Sequence, residues 1–262
     1  ATDMLYITAA MAACVRDVAR GERPRGTLTF VGCADEEARG GLGAKWLAEH
    51  GQFSWKNCLS EEGGSHIPAA DGSDALVVVV GEKGAAQRRL TVHGDAGHGS
   101  APFGRDLAVA KIAEVARRVA AIEPEVRADE IWEGYVRAWK FDPATEEALL
   151  RGEGYEAFGQ LESYSHAMSH LTIGPLFDAI CQTFDEFFPG VPVVPTIAAG
   201  GSDLRFARRK GGVGYGFALH AREETLGSVL GQLHSHDESV AVEDVDLTVR
   251  AYRSLISRFV GA

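Results

Sequence analysis

The feature that most constrains the fold of this chain is residues 27–41, where an apolar segment runs directly into three acids and then a glycine pair. Residues 27–33 have the composition of a strand, and Asp35, Glu36 and Glu37 follow it almost at once. Strands of an open α/β sheet deliver their C-terminal residues to the crevice where ligands bind. Three adjacent carboxylates repel one another, so a cation there would be favourable, with one glutamate as a metal ligand and its neighbour free to take a proton from water. A solvated acidic turn that caps the next helix is the alternative interpretation.

The overall composition favours a cytoplasmic protein that binds small molecules or metal ions. The chain has 262 residues, enough for one large or two smaller domains, and 45% of them are hydrophobic. Its longest apolar run, residues 75–80, has the length of a strand, so we expect no membrane insertion. A net charge of -11 argues against nucleic-acid binding, which requires clustered basic residues. The cysteines lack metal-site spacing and are predicted to be reduced thiols in the core: Cys14, Cys33, Cys58 and Cys181.

The order of predicted elements indicates an α/β protein with a mostly parallel sheet flanked by helices. The first part is predicted to contain a helix at 5–20, a strand at 27–33, a helix at 42–50 and strands at 56–60 and 75–81. A polar strand at 87–94 and a helix at 105–121 follow, whereas residues 122–172 show weak periodicity. The last part is predicted to contain a helix at 175–187, a strand at 191–197, a short helix after Asp203, a strand at 213–219 and a helix at 243–259. We therefore expect a smaller α+β domain, residues 85–173, inserted between two parts of a catalytic domain, residues 1–84 and 174–262.

Four further polar clusters stand beside predicted helices and strands. Asp3 precedes the first helix, residues 60–64 follow a short strand, residues 200–205 open a helix, and residues 234–238 precede the last helix. Each has an ordinary explanation as a helix cap, a turn or a solvated loop. Together they supply carboxylates and imidazoles, which are the ligands that divalent metals prefer.

The chain resembles the co-catalytic zinc metallopeptidases, the family of aminoacylase, glutamate carboxypeptidase, acetylornithine deacetylase and succinyl-diaminopimelate desuccinylase. Five motifs in the order of that family carry the resemblance, together with the opening Ala1-Thr-Asp-Met4, and they span nearly the whole chain. The motifs are Val31-Gly-Cys-Ala-Asp-Glu-Glu-Ala-Arg-Gly-Gly41, Leu59-Ser-Glu-Glu-Gly-Gly64, Gly94-Asp-Ala-Gly-His-Gly-Ser-Ala-Pro102, Gly200-Gly-Ser-Asp-Leu-Arg205 and His234-Ser-His-Asp-Glu238.

This resemblance implies a centre of two divalent metal ions, zinc first, with cobalt or manganese as alternatives. Asp3 would bridge the two ions, and Glu37 and His234 would complete the protein ligands of one of them. Glu62 would bind the other ion, with Glu61 as the second choice. The family also has a His-x-Asp motif well upstream of its bridging aspartate, and its histidine is a further ligand. His66 and His236 are alternative donors for that position in this sequence.

The resemblance also implies residues for catalysis and substrate binding. Glu36 would be the general base and then the general acid. His98 would reach the active site of a partner subunit and stabilise the oxyanion, although a surface histidine in a turn is the ordinary alternative. Arg205 would bind a substrate carboxylate, or form a salt bridge at a helix start. Gly200 and Gly201 would let the backbone approach the substrate, or simply form the turn.

The resemblance implies a hydrolase that cleaves an amide or peptide bond next to a free carboxylate, through a metal-activated water. Carboxypeptidase, dipeptidase and N-acyl-amino-acid deacylase are the activities it implies, on a small peptide or an N-acyl amino acid. The inserted domain would act as a lid and hold a homodimer together. The alternative is a catalytically silent binding or scaffold protein that keeps the fold without a complete two-metal centre.

Overall fold

A computed structural model describes residues 2–21, 23–82, 89–122, 129–153, 173–198 and 200–261. Its helices and strands follow one another in the order α1 (Leu5–Arg20), α2 (Ala44–His50), β1 (Asn57–Leu59), β2 (Gly63–Pro68), β3 (Asp74–Glu82), α3 (Ala108–Ala120), α4 (Glu130–Ala138), α5 (Pro143–Leu150), α6 (Pro175–Phe187), β4 (Val193–Ala198), α7 (Leu204–Arg209), β5 (Val213–Tyr215), α8 (Leu226–Gln232) and α9 (Val242–Val260). The fold is α/β, as the sequence predicts.

The chain divides into two compact units. Residues 1–84 and 127–262 form the first unit, and residues 85–126 form the second. The predicted inserted domain, residues 85–173, includes the second unit but also α4 and α5, which belong to the first. The function of residues 85–173 as a lid or dimerisation domain stays a prediction.

The strands of the first unit form two small sheets. β3 lies in the middle of one sheet, antiparallel to β2 and parallel to β4, and the other sheet is the parallel pair β1 and β5. The Gly216 N–H donates to the Val79 carbonyl oxygen at 2.8 Å, which connects the two sheets just after β5. The loop between β1 and β2, residues 60–62, therefore lies beside this connection.

The core of the first unit lies between β3 and three helices, α1, α6 and α9. α1 buries Tyr6, Ile7, Ala10 and Cys14 on one face, which is the three-and-four spacing of an amphipathic helix. Phe217 stacks on Phe184 of α6, and the Tyr252 ring of α9 meets it edge-on, at centroid distances of 5.5 and 4.8 Å. Burial of each such ring contributes about 1.5–3 kcal/mol. This packing fixes the start of α1, and with it Asp3, relative to the sheets.

Three predicted elements differ from the structure. Residues 27–33 and 89–94 form no strand, and the strand predicted at 213–219 ends at Tyr215; residues 87 and 88 lie outside the described residues. The backbone of residues 27–33 finds no sheet partner among the described residues. The prediction of four core thiols is wrong for Cys33, which is exposed; Cys14 is buried, and Cys58 and Cys181 are half-buried. All four are free.

The segment that showed weak periodicity contains two capped helices. The Asp129 carboxylate accepts the N–H groups of Ile131 and Trp132 at the start of α4, and Asp142 caps α5 in the same way, ahead of Pro143. No helix in the described part of the chain has both the length and the apolar character needed to cross a membrane.

The second unit consists of a turn-rich segment and α3. The Asp95 carboxylate accepts the Asp106 N–H at 3.0 Å, and the Arg105 guanidinium donates to the Ala96 carbonyl at 2.7 Å. These bonds close the turn that carries His98. α3 follows it and is held by ion pairs between Glu114 and two arginines, Arg117 and Arg118.

Candidate metal centre

Three side chains from distant parts of the sequence converge on one point. Asp3 stands just before α1, Glu37 lies in the turn before α2, and His234 lies in the loop after α8; each offers a ligand atom within 4.8 Å of the other two. The Asp3 Oδ2 lies 2.9 Å from the His234 Nε2, and the Glu37 Oε1 lies 3.5 Å from the same nitrogen. Two carboxylates and an imidazole are a suitable donor set for zinc or another divalent metal. The structure thus brings together three of the four residues for which the sequence predicts metal binding.

The fourth residue, Glu62, lies outside this group of three but carries a feature that favours a nearby cation. Both oxygens of its carboxylate are buried, and neither has a hydrogen-bond partner in the described part of the structure. Burial, and then the negative charges of Asp3, Glu61 and Glu238, raise the pKa of Glu62 to about 8. A buried carboxylate without a partner is costly unless it is protonated or bound to a cation. The residues present therefore fit a positive ion near the Glu62 carboxylate.

The acidic turn before α2 gives its three acids different surroundings. The Asp35 carboxylate accepts the Leu42 N–H at 2.8 Å and so closes the turn. It does not cap α2, which begins at Ala44 and has no side-chain capping bond. Glu37 points to His234, at the distance given above. Glu36 lies between them and is half-buried; burial, followed by the charges of Asp203, Glu37 and Asp3, raises its pKa.

Two further acids, Glu61 and Asp203, lie close to Glu36. Burial raises the pKa of Glu61 to about 8, with contributions from the charges of Glu36, Asp3 and Asp203. Burial also raises the pKa of Asp203, one of whose carboxylate oxygens is buried without a partner among the described residues. No role for Asp203 was predicted from the sequence, although Asp203 stands in the same motif as Arg205. Only the fold shows that Asp203 lies close to Glu36 and Glu61.

Arg205 lies on α7 next to the acidic turn. Its Nη2 donates to the Arg39 carbonyl oxygen at 2.6 Å, and its guanidinium carbon lies 4.8 Å from the centre of the Phe206 ring. The positive charge of Arg205 lowers the pKa of both Glu36 and Asp203, against the larger effect of burial. Arg205 is therefore a cation that the protein itself supplies to this group of acids.

The two glycines before α7 lie on an exposed turn. A side chain at Gly200 would meet open space, whereas a Cβ at Gly201 would lie 3.1 Å from the Arg205 Nη1. The backbone at Gly201 is thus close to the guanidinium group, and the backbone at Gly200 is accessible.

The prediction of His66 as an alternative imidazole ligand is wrong. His66 is buried, with its Nδ1 at 2.8 Å from the Asp74 carboxylate and its Nε2 at 3.0 Å from the His220 carbonyl oxygen, so both of its ring nitrogens are occupied. His236 is exposed and belongs to no metal-ligand group in the described residues.

His98 belongs to the second compact unit. It is exposed, and its Nδ1 lies 2.7 Å from the Ser100 hydroxyl oxygen of the same turn. This contact holds the ring within its own turn, and a role in catalysis stays a prediction.

Comparison with known proteins identifies the family. Residues 1–258 match the model of peptidase family M20/M25/M40. The chain is also similar to a protein from Alkalilimnicola ehrlichii named succinyl-diaminopimelate desuccinylase, with 27% identity over 290 residues that cover 97% of this chain and 72% of that protein. The chain belongs to peptidase family M20/M25/M40 and is a hydrolase that acts on amide bonds.

Proposed function

We propose that this protein is a metal-dependent hydrolase that cleaves an amide bond next to a free carboxylate, in a small peptide or an N-acyl amino acid. The observation that carries the proposal is the convergence of Asp3, Glu37 and His234 beside the buried, unpartnered carboxylate of Glu62. Such an arrangement of like charges is unfavourable without a cation. It is the arrangement expected of a site built for divalent metals.

The proposed centre holds two divalent ions, zinc first and cobalt or manganese as alternatives. Asp3 would be shared by the two ions, Glu37 and His234 would hold one of them, and Glu62 would hold the other. When bound, such ions lower the pKa of a water molecule and polarise the carbonyl group of the substrate.

Glu36 is the proposed proton carrier. It lies next to Glu37 in sequence and is half-buried, and its raised pKa favours a carboxylate that takes up a proton during the reaction and gives it up again. In this proposal Glu36 removes the proton of the attacking water and delivers it to the leaving amine. His98 donates a hydrogen bond to the oxyanion from the partner subunit of a homodimer.

The substrate carboxylate is assigned to Arg205. Its guanidinium group uses Nη2 for the Arg39 carbonyl and can offer its other donors to a carboxylate, in a charge-assisted pair. Gly200 and Gly201 leave the neighbouring backbone open to the substrate. The name of the Alkalilimnicola ehrlichii relative, a desuccinylase, supports an N-acyl amino acid with a carboxylate near the scissile amide. We place this activity in the cytoplasm.

The test is a Glu36→Gln variant, because glutamine keeps the size of the side chain but cannot accept and release the proton. We expect the variant to bind metal like the wild type and to lose about 10²–10⁴-fold in kcat on N-acyl amino acids or dipeptides. Glu223→Gln, which changes an exposed glutamate, is the matched control and should keep full activity. Turnover of Glu36→Gln within a few-fold of the wild type would refute the assignment. A wild-type protein that binds no metal would instead favour the catalytically silent scaffold.

A further inference from the structure

The loop that follows α8, residues 233–239, contacts both the backbone and the side chain of Asp3. The Glu238 Oε1 accepts the Asp3 backbone N–H at 2.7 Å, and the His234 Nε2 lies 2.9 Å from the Asp3 carboxylate. The Thr2 hydroxyl donates to the Ser239 carbonyl oxygen, and Thr2 is buried. One loop therefore supplies a candidate metal ligand and also fixes the backbone of a second candidate ligand.

This loop is held in shape by Gln232, the last residue of α8. The Gln232 Oε1 accepts the backbone N–H of Ser239 at 3.2 Å and its hydroxyl at 3.1 Å. The Gln232 carbonyl oxygen accepts the N–H and the hydroxyl of Ser235 at 3.0 and 2.7 Å. The backbone of His234 and Asp237 has φ values of 56° and 60°, in the left-handed region that residues other than glycine adopt uncommonly. The contacts of Gln232 with Ser235 and Ser239 hold the loop on both sides of His236 and Asp237.

We propose that Glu238 is a positioning residue that holds Asp3 in place, so that Asp3 and His234 present their ligand atoms together. The inference rests on the proposed function, since it assigns Asp3 and His234 to a metal centre. Asp3 stands at the end of the segment before α1, where no strand or helix hydrogen bond fixes its N–H. Glu238 accepts that N–H, and the direction in which the Asp3 side chain leaves the backbone depends on it. Groups that orient metal ligands in this way typically change metal affinity by about 10–100-fold when removed.

The experiment compares three variants in calorimetric titrations of the metal-free protein with zinc. Glu238→Ala removes the acceptor, and we expect it to weaken the tighter zinc site by about tenfold or more. Glu238→Gln keeps an acceptor oxygen but loses the charge, and it should stay within about threefold of the wild type. Asp237→Asn removes one negative charge from the neighbouring, exposed position and should behave like the wild type. Wild-type affinity in Glu238→Ala, or equal losses in all three variants, would overturn the proposal.

A second measurement tests the positioning without metal. Hydrogen exchange of the Asp3 backbone amide, followed by NMR in the chelator-treated protein, should be faster in Glu238→Ala and unchanged in Glu238→Gln and Asp237→Asn. Unchanged exchange in Glu238→Ala would overturn the positioning role even if the zinc titration changed. A wild-type protein that binds no zinc but shows the expected exchange pattern would refute the proposed function and leave the contact of Glu238 with Asp3 supported.

Discussion

Replacing Glu62 by glutamine should make the metal-free protein increasingly stable relative to the wild type as the pH rises. The pKa of Glu62 is raised from its ordinary value of 4.5 to about 8, chiefly by burial and then by the charge of Asp3. The folded protein therefore holds a proton on Glu62 at pH values where the unfolded chain has released it. An acid of this kind stabilises the fold below its unfolded pKa, and that stability is lost as the pH rises through the folded pKa. Glutamine does not titrate, so the Glu62→Gln variant does not undergo this loss of stability.

The size of the effect follows from the same two values. At about 1.4 kcal/mol per pKa unit, the wild type should lose about 3 kcal/mol of unfolding free energy between pH 5 and pH 8 through Glu62 alone. The cost of burying the amide of glutamine does not depend on pH. The difference in stability between Glu62→Gln and the wild type should thus grow by about 3 kcal/mol over this interval.

Denaturant unfolding in the presence of a chelator, at pH 5 and pH 8, measures this difference. Glu223→Gln, which removes an exposed carboxylate, serves as the control and should show no pH-dependent difference from the wild type. Added zinc should stabilise the wild type at pH 8 and stabilise Glu62→Gln much less, because the variant lacks one proposed ligand. A stability difference that is the same at pH 5 and pH 8 would refute the reasoning.

Two further substitutions test the surroundings of Glu36. A Cβ at Gly40, where φ is +58°, would lie 2.2 Å from the Asp203 Oδ1, so Gly40→Ala should lose about 1–3 kcal/mol more in denaturant unfolding than Gly72→Ala. Gly72→Ala has a similar φ of +81° but open space, and a loss as large in this control would contradict the steric explanation. Arg205→Lys should lower kcat/KM by about 10–100-fold on substrates with a free carboxylate and much less on the corresponding carboxamides. Equal losses on both kinds of substrate would indicate that Arg205 acts only by holding its own loop.

The helices with strong apolar periodicity could be predicted from the sequence almost to the residue. α1 coincides with the predicted helix at 5–20, and α6 coincides with the one at 175–187. Each presents one apolar face to a common core, so its local pattern and its tertiary packing agree. α4 and α5 are shorter, and only their aspartate caps, Asp129 and Asp142, offered a local signal.

The prediction of a strand at 27–33 was wrong because a strand-like composition does not by itself provide a neighbouring strand for hydrogen bonding. Gly26, just before this segment, donates its N–H to the Val260 carbonyl at the end of α9, and the Phe30 side chain is 38% exposed. The path of the chain in this segment depends on contacts with α9, which cannot be read from the sequence pattern of the segment itself. Residues 63–68 form β2, which pairs with β3 although its sequence lacks strand alternation.

The sequence predicts which residues belong to the candidate site, but it does not predict how they are arranged in space. Asp3, Glu37 and His234 came from ordered motifs, and the fold brings them within 4.8 Å of one another. The sequence could not show that Asp203 and Glu61 share the same buried surroundings. Those surroundings depend on the loop before β2 meeting the start of α7, a contact between residues about 140 positions apart.

The most direct test of the proposed function is the metal content of the purified protein, measured by elemental analysis after dialysis and repeated after titration with zinc. We expect two equivalents of a divalent metal per chain. We also expect Asp3→Ala to retain at most one equivalent, because Asp3 is the proposed bridge between the two ions. A wild-type protein that stays free of metal under both conditions would contradict the account.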